Sequence, residues 1–150
     1  MNDTVFSVLE KEIHSVVVGM IDAEGRPVTS FMDVMLADES GIYFLTSNNG
    51  RELYRNLNNS EYLSICGKTD GDYFHSKMIT VKGKVRNIGK ARADELLDRN
   101  AYLKRLYPDD AKEKRQILDV FQVYAGRITY QEFATVPPKK LELSFGSEEG

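Results

Sequence analysis

The stretch Phe44 to Leu57, FLTSNNGRELYRNL, gathers the side chains of this chain best suited to hold an anion. Its first residues read as a strand and its last as a helix. Between them stand Thr46, Ser47, Asn48, Asn49, Gly50 and Arg51. The first turn of a helix has backbone N–H groups without intrahelical acceptors, and the helix dipole adds partial positive charge there. Such ends bind anions readily. Thr46 and Ser47 offer hydroxyls, Asn48 or Asn49 can cap the helix, and Gly50 permits close approach. Arg51 adds a fixed charge with a forked donor geometry. The same residue types also serve any tight turn and helix cap. Local chemistry therefore leaves two readings open, a phosphate-sized site or a plain capped corner.

The rest of the chain offers little competing chemistry. His14 and His75 are far apart and lie in no ligand-spaced motif such as H-E-x-x-H, so both read as partly exposed strand residues and no metal site is expected. Cys66 is the one cysteine, which excludes an intrachain disulfide and a cysteine cluster. Its neighbours, LSICGK, read as a buried strand with Cys66 as a small core residue. No G-x-S-x-G elbow, P-loop or G-x-G-x-x-G motif occurs, which argues against acyl transfer and nucleotide hydrolysis. A net charge of −3 over 150 residues argues against a nucleic-acid or anionic-membrane partner. The opening residues lack a signal-peptide pattern. No apolar run reaches the roughly 20 residues that span a bilayer. A cytoplasmic protein is the expectation.

The elements that must position the corner follow from changes of period. Asn2 to Ile13 reads as a short amphipathic helix capped by Asp3 or Thr4, with Val5, Leu9 and Ile13 inward. Val16–Ile21, Val28–Leu36 and Ile42–Thr46 read as strands separated by Gly-containing turns, hence an antiparallel meander. Arg51–Asn59 has helical spacing, with Leu53, Tyr54 and Leu57 on one side. Glu61–Gly67 is a fourth strand and Tyr73–Gly89 a long fifth, whose Gly83 points to a bulge or close backbone approach. Lys90–Ile117 reads as two or three short helices broken at Pro108, a solvated face of mixed charge. Leu118–Phe133 returns to strand, Pro137-Pro138 makes a rigid link, Leu141–Phe145 is a last strand, and 146–150 reads as a frayed end. One mainly β (α+β) domain over 1–150 is expected, a six-stranded antiparallel barrel with flanking helices.

The order of EGRPVTSFM, FLTSNNGRELYRNL, YLSICG and VKGKVRNIG resembles the FMN-binding split barrel of the pyridoxamine 5′-phosphate oxidase-like superfamily, over roughly Ile13 to Phe145. It looks closest to the small single-domain members, including those grouped with nitroimidazole-resistance proteins. That resemblance implies a homodimer with two FMN sites at the subunit interface and a small-molecule substrate. It implies that Thr29, Ser30, Phe31 and Met32 run along the flavin ring, and that Thr46, Ser47, Asn48, Asn49 and Arg51 hold the phosphate and ribityl chain. Lys77 or Met78 would supply a contact near the flavin. An oxidoreductase is implied, with a non-catalytic flavin- or cofactor-binding protein, a sensor, store or carrier, as the alternative. Tyr73, Phe74, His75 and Tyr124 are candidates for a substrate wall. The fuller oxidases carry an Arg-Lys pair at the corner; here Glu52 follows Arg51, and no C-terminal grip on pyridoxal phosphate is visible. Pyridoxamine-phosphate oxidase activity is not expected.

Overall fold

A computed structural model describes residues 2–147. Of the end expected to fray, Gly146 closes the last strand, and 148–150 lie outside the described residues. One antiparallel sheet of eight strands curls on itself, with short helices against it, so the mainly β expectation holds with two more strands than expected. The strands are β1 (Ser15–Ile21), β2 (Pro27–Asp33), β3 (Leu36–Asp38), β4 (Gly41–Ser47), β5 (Tyr62–Lys68), β6 (Lys77–Gly89), β7 (Leu118–Glu132) and β8 (Lys139–Gly146). The helices are α1 (Asn2–Ser7), α2 (Glu52–Asn59) and α3 (Ala93–Arg99). A π turn, Val8–Ile13, extends α1, and 3₁₀ turns cover Tyr73–His75, Ala101–Arg105 and Lys112–Ile117.

The first three segments do not form a simple meander. The run read as one strand from Val28 to Leu36 is cut in two. β2 pairs with β1, and β3 pairs with β4, so the halves lie at opposite edges of the order β2-β1-β5-β6-β7-β4-β3. The switch takes one peptide step. The Val34 N–H bonds the His14 carbonyl at 2.7 Å, continuing the β1 side, while the Met35 N–H bonds the Tyr43 carbonyl at 2.9 Å, continuing the β4 side. Both side chains are buried, so this seam is anchored in the core.

Alternation sets the faces. In β1, Val16, Val18 and Met20 point inward; in β6, Ile79, Val81 and Val85 do the same. Phe44, Phe121, Leu57 and Ile128 complete the interior, with Leu9 and Phe6 from the N-terminal helical segment closing it. The pleat also corrects the expectation for Cys66. It pairs with Val17 and Thr80 in a register that sends Leu63 and Ile65 inward and leaves Cys66 exposed on the outer face. Neither histidine lies in a strand: His14 follows the π turn, and His75 ends a 3₁₀ turn. Tyr73–His75 is thus not the start of β6.

The two longest strands meet at a glycine pair. Gly83 faces Gly126 across the β6–β7 ladder. A Cβ on Gly126 would lie 2.4 Å from the Lys82 carbonyl oxygen and 2.8 Å from the Gly83 Cα. Backbone on both sides leaves nowhere to yield. Gly126→Ala is therefore expected to lower the unfolding free energy by about 2–3 kcal/mol. Urea titration measures it; a loss below about 0.5 kcal/mol, the range of an ordinary surface change, would show that the strands do not approach this closely.

Candidate functional site

The strand-to-helix corner forms as expected but not by the expected cap. α2 buries Leu57 and packs Leu53 and Tyr54 against the core. Its N-cap residue is Arg51, in extended backbone, and no side chain caps the first turn. Asn49 is exposed in the bend before the helix. Asn48 turns the other way: its N–H bonds the Ile117 carbonyl at 2.6 Å, and its amide donates to Asp119 at 3.3 Å. The first-turn N–H groups are thus left for water or a ligand.

An open cleft of about 300 Å³ lies beside this corner, along the seam. Its walls join Phe31, Met32 and Asp33 of β2 with Leu45, Thr46 and Ser47 of β4 and with Arg51. Leu103, Leu106 and Tyr107, from the segment between α3 and β7, form a further wall. Thr46 is 3% exposed, and its hydroxyl oxygen has no hydrogen-bond partner. An unpaired hydroxyl at such depth costs about 1–3 kcal/mol. Phe31, by contrast, is 78% exposed beside the cleft.

Five of the ten residues expected at a cofactor site therefore share one cleft: Phe31, Met32, Thr46, Ser47 and Arg51. The other five do not line it. Thr29 lines a depression on the outer sheet face with Ser64 and Lys82. Ser30 donates to the neighbouring Phe31 carbonyl at 3.3 Å. Asn48 and Asn49 stand as described. Lys77 pairs with Glu12 at 3.1 Å and lines a separate hollow with Phe74 and His75. The aromatic candidates for a substrate wall are also elsewhere. Tyr73 packs edge-on against Phe74 and beside Phe133, the His75 ring bonds Asp72 at 2.7 Å, and Tyr124 lies under the Arg86 guanidinium.

Sequence reasoning missed Asp33 and the 103–107 wall. The wall's signal was faint: Leu103, Leu106 and Tyr107 recur at helical spacing inside a strongly charged segment. It also missed Asp119, which ties the corner together. One carboxylate oxygen accepts from the Tyr54 hydroxyl at 2.6 Å and from Asn87 at 3.2 Å; the other takes Lys90 at 2.9 Å and Asn48. The Lys90 ammonium also reaches the Leu118 carbonyl.

The family model and the solved structures agree on the fold. The model of the pyridoxamine 5′-phosphate oxidase family matches residues 2–132. The chain belongs to that family. No curated protein matches it. Among solved structures, a NimC/NimA family protein from Clostridium acetobutylicum superposes with a TM-score of 0.74 at 17% identity, covering 96% of this chain and 92% of that one. A putative 5-nitroimidazole antibiotic resistance protein from Bacteroides thetaiotaomicron gives 0.61 at 16% identity, covering 85% and 81%. The haem storage protein HutZ from Vibrio cholerae gives 0.57 at 17%, covering 97% and 96%. The split barrel of the pyridoxamine 5′-phosphate oxidase family is thus the fold of this chain, a fold shared by a haem storage protein and a putative 5-nitroimidazole resistance protein.

Within this family fold, Asp119 is a stability element with a definite pH signature. Burial alone raises its carboxyl, but the Tyr54 hydroxyl, the Lys90 ammonium and the Asn87 amide outweigh that and bring it from 3.8 down to about 2. A depressed carboxyl contributes stability above its unfolded value and loses it as pH falls through its folded one. Asp119→Asn is expected to cost about 2 kcal/mol at neutral pH. The difference from the parent should close as pH drops from about 4 to about 2, read from denaturation at stepped pH. A difference that stays constant across that range contradicts the assignment.

Proposed function

We propose that the seam cleft binds FMN and that the protein is a homodimeric, FMN-dependent oxidoreductase. The observation that carries this reading is the buried, unpartnered Thr46 hydroxyl beside Ser47, Arg51 and the uncapped start of α2. One hydroxyl in need of a partner, a second hydroxyl, a guanidinium and free helix N–H groups together suit a phosphate. The apolar remainder, Phe31, Met32, Leu103 and Leu106, suits a flat ring system. The residues present fit the cofactor. FMN would supply the electron chemistry, accepting and passing electrons between a nicotinamide donor and a small organic acceptor. The chain's residues hold and orient it: Arg51 and Thr46 at the phosphate, the β2 edge along the ring, and the 103–107 wall against water.

The outer sheet face supports the dimer. Phe31, Tyr62 and Ile21 are exposed there, with Cys66 and the half-buried Val17 between them. A second copy on this face would cover Phe31 and close the open side of the cleft. A haem reading finds less support, since, among the described residues, no histidine or cysteine lines the cleft and both ring nitrogens of His14 are engaged. The single Arg51, followed by Glu52, does not favour pyridoxamine-phosphate oxidase chemistry.

Purified protein mixed with FMN should retain the yellow flavin bands through gel filtration and elute as a dimer. Arg51→Ala should weaken binding by about 1.5–3 kcal/mol, on the order of 10- to 150-fold in Kd. Thr46→Val should weaken it by about 0.5–1.5 kcal/mol. Protein that takes up no FMN sinks the proposal. FMN held tightly but never reduced by NADH or NADPH would reduce it to a carrier function.

A further inference from the structure

His14 sits where the chain has no freedom to place it casually. Its backbone is left-handed, with φ 61°, a conformation residues with a side chain rarely adopt. Its N–H is fixed to the Leu9 carbonyl at 2.9 Å and its carbonyl to Val34 at the seam. The ring is thereby pointed between two elements. Nδ1 lies 3.0 Å from the Glu10 carbonyl oxygen, and Nε2 lies 2.8 Å from the Tyr102 hydroxyl. The Tyr102 oxygen is in turn 2.7 Å from a carboxylate oxygen of Asp33, whose other oxygen accepts from Ser15 at 2.6 Å. Asp33 lines the seam cleft.

The hydrogens of this row can be counted. A carbonyl only accepts, so Nδ1 carries a hydrogen toward Glu10. Tyr102 has one hydrogen and two neighbours that want it. With a neutral imidazole and an ionised Asp33, one of the two short contacts would set lone pair against lone pair. One extra proton removes the conflict. Placed on Nε2, it gives His14 donating to Tyr102 and Tyr102 donating to Asp33. Placed on Asp33, it gives the reverse direction, with Tyr102 donating to Nε2. The two arrangements differ only by hydrogens shifted along the Tyr102 oxygen.

We propose that His14, Tyr102 and Asp33 share one proton and deliver it, through Asp33, to a substrate reduced in the seam cleft. The delivery step rests on the flavin reading above. A quinone-type acceptor that gains two electrons and one proton from reduced FMN needs one further proton. The Nε2 hydrogen passes to Tyr102, the Tyr102 hydrogen passes to Asp33, and Asp33 gives the proton to the acceptor. His14 is left neutral, accepting from Tyr102, and is recharged from solvent through its partly exposed ring. Tyr102 itself keeps a proton throughout, because burial and the Asp33 carboxylate both push its hydroxyl above the ordinary range. The other charges packed here are accounted for. The Glu10 carboxylate is held by Arg99 of α3 at 2.7 Å and by the Ala37 N–H at 2.8 Å, and Ser15 of β1 is neutral. Asp33 is thus the acidic end, and Tyr102 and His14 are positioning residues.

Nitrogen-15 NMR of the two histidine rings, in protein without added flavin, tests the shared proton directly. In the parent, His14 should show both ring nitrogens protonated to higher pH than in Tyr102→Phe or Asp33→Asn, with His75 the same in all three. Identical behaviour of His14 in the three proteins overturns the proposal. The second arm uses FMN-loaded protein, NADH and p-benzoquinone. Tyr102→Phe should lower kcat by on the order of 100-fold at high pH and shift the pH profile, with FMN binding retained. An unchanged profile overturns the delivery step. Failure to bind FMN at all would be seen in the visible spectrum; it overturns the flavin reading and the delivery step together, and the ring spectra then decide the shared proton alone.

Discussion

The arrangement rests on one peptide step. At Val34 the backbone still serves the ladder of β1 and β2; at Met35 it already serves β3 and β4. Two consecutive N–H groups bond to opposite edges of one curled sheet. The edges therefore cannot drift apart by more than a residue's length, yet they cannot pair along their whole length either. The seam is closed at one point and splayed beyond it, and the cleft lies in the splay. Val34 and Met35 are buried in two different core clusters, so a one-residue slip would exchange the faces they serve and make the junction costly to shift.

The long strands support this geometry from the far side. β6 and β7 run past each other through the Gly83–Gly126 approach, and β5, β4 and β8 hang from them. Asp119 then converts strand position into corner position. It stands on β7, yet it takes hydrogen bonds from Asn48 before α2, Tyr54 within it, and Asn87 and Lys90 at the end of β6. A carboxylate so surrounded fixes the helix start without entering the cleft. That leaves Thr46, Ser47 and Arg51 as the polar groups at the corner without structural duties.

Much of this was legible in the residues, for identifiable reasons. Runs of β-branched and aromatic residues between turn signals gave β1 and β4, and alternation gave β5 and the inner half of β6. Gly83 announced its close approach. The corner was visible because Thr46 to Arg51 stand unbroken between a strand pattern and a helix pattern. What stayed hidden was non-local. Val28–Leu36 looks continuous because its switch of partners leaves no mark in composition. Cys66 reads as core because its apolar neighbours dominate, while the pleat alone decides its face. Lys77 and Thr29 fell outside the cleft because a family pattern fixes sequence order more firmly than it fixes where a side chain meets its neighbours. Asp33 gave no signal at all, being one acid among 23 acidic residues.

The wall formed by residues 103–107 has a different origin from the rest of the cleft. It is tethered at its ends: Asn100 to the Met35 carbonyl at 2.9 Å and Tyr102 to Asp33 at 2.7 Å on one side, and Arg115 to Asp94 and Asp109 on the other. Between those anchors Leu103 packs against the core cluster of Met35 and Leu96, while Leu106 is exposed. Barrel stability belongs to the sheet, and Leu106 and Tyr107 can change without disturbing it. A lineage could therefore reshape the cleft by exchanging Leu106 and Tyr107 alone. Sequence drift confined to one short strap would then separate relatives by substrate while their folds stayed superposable.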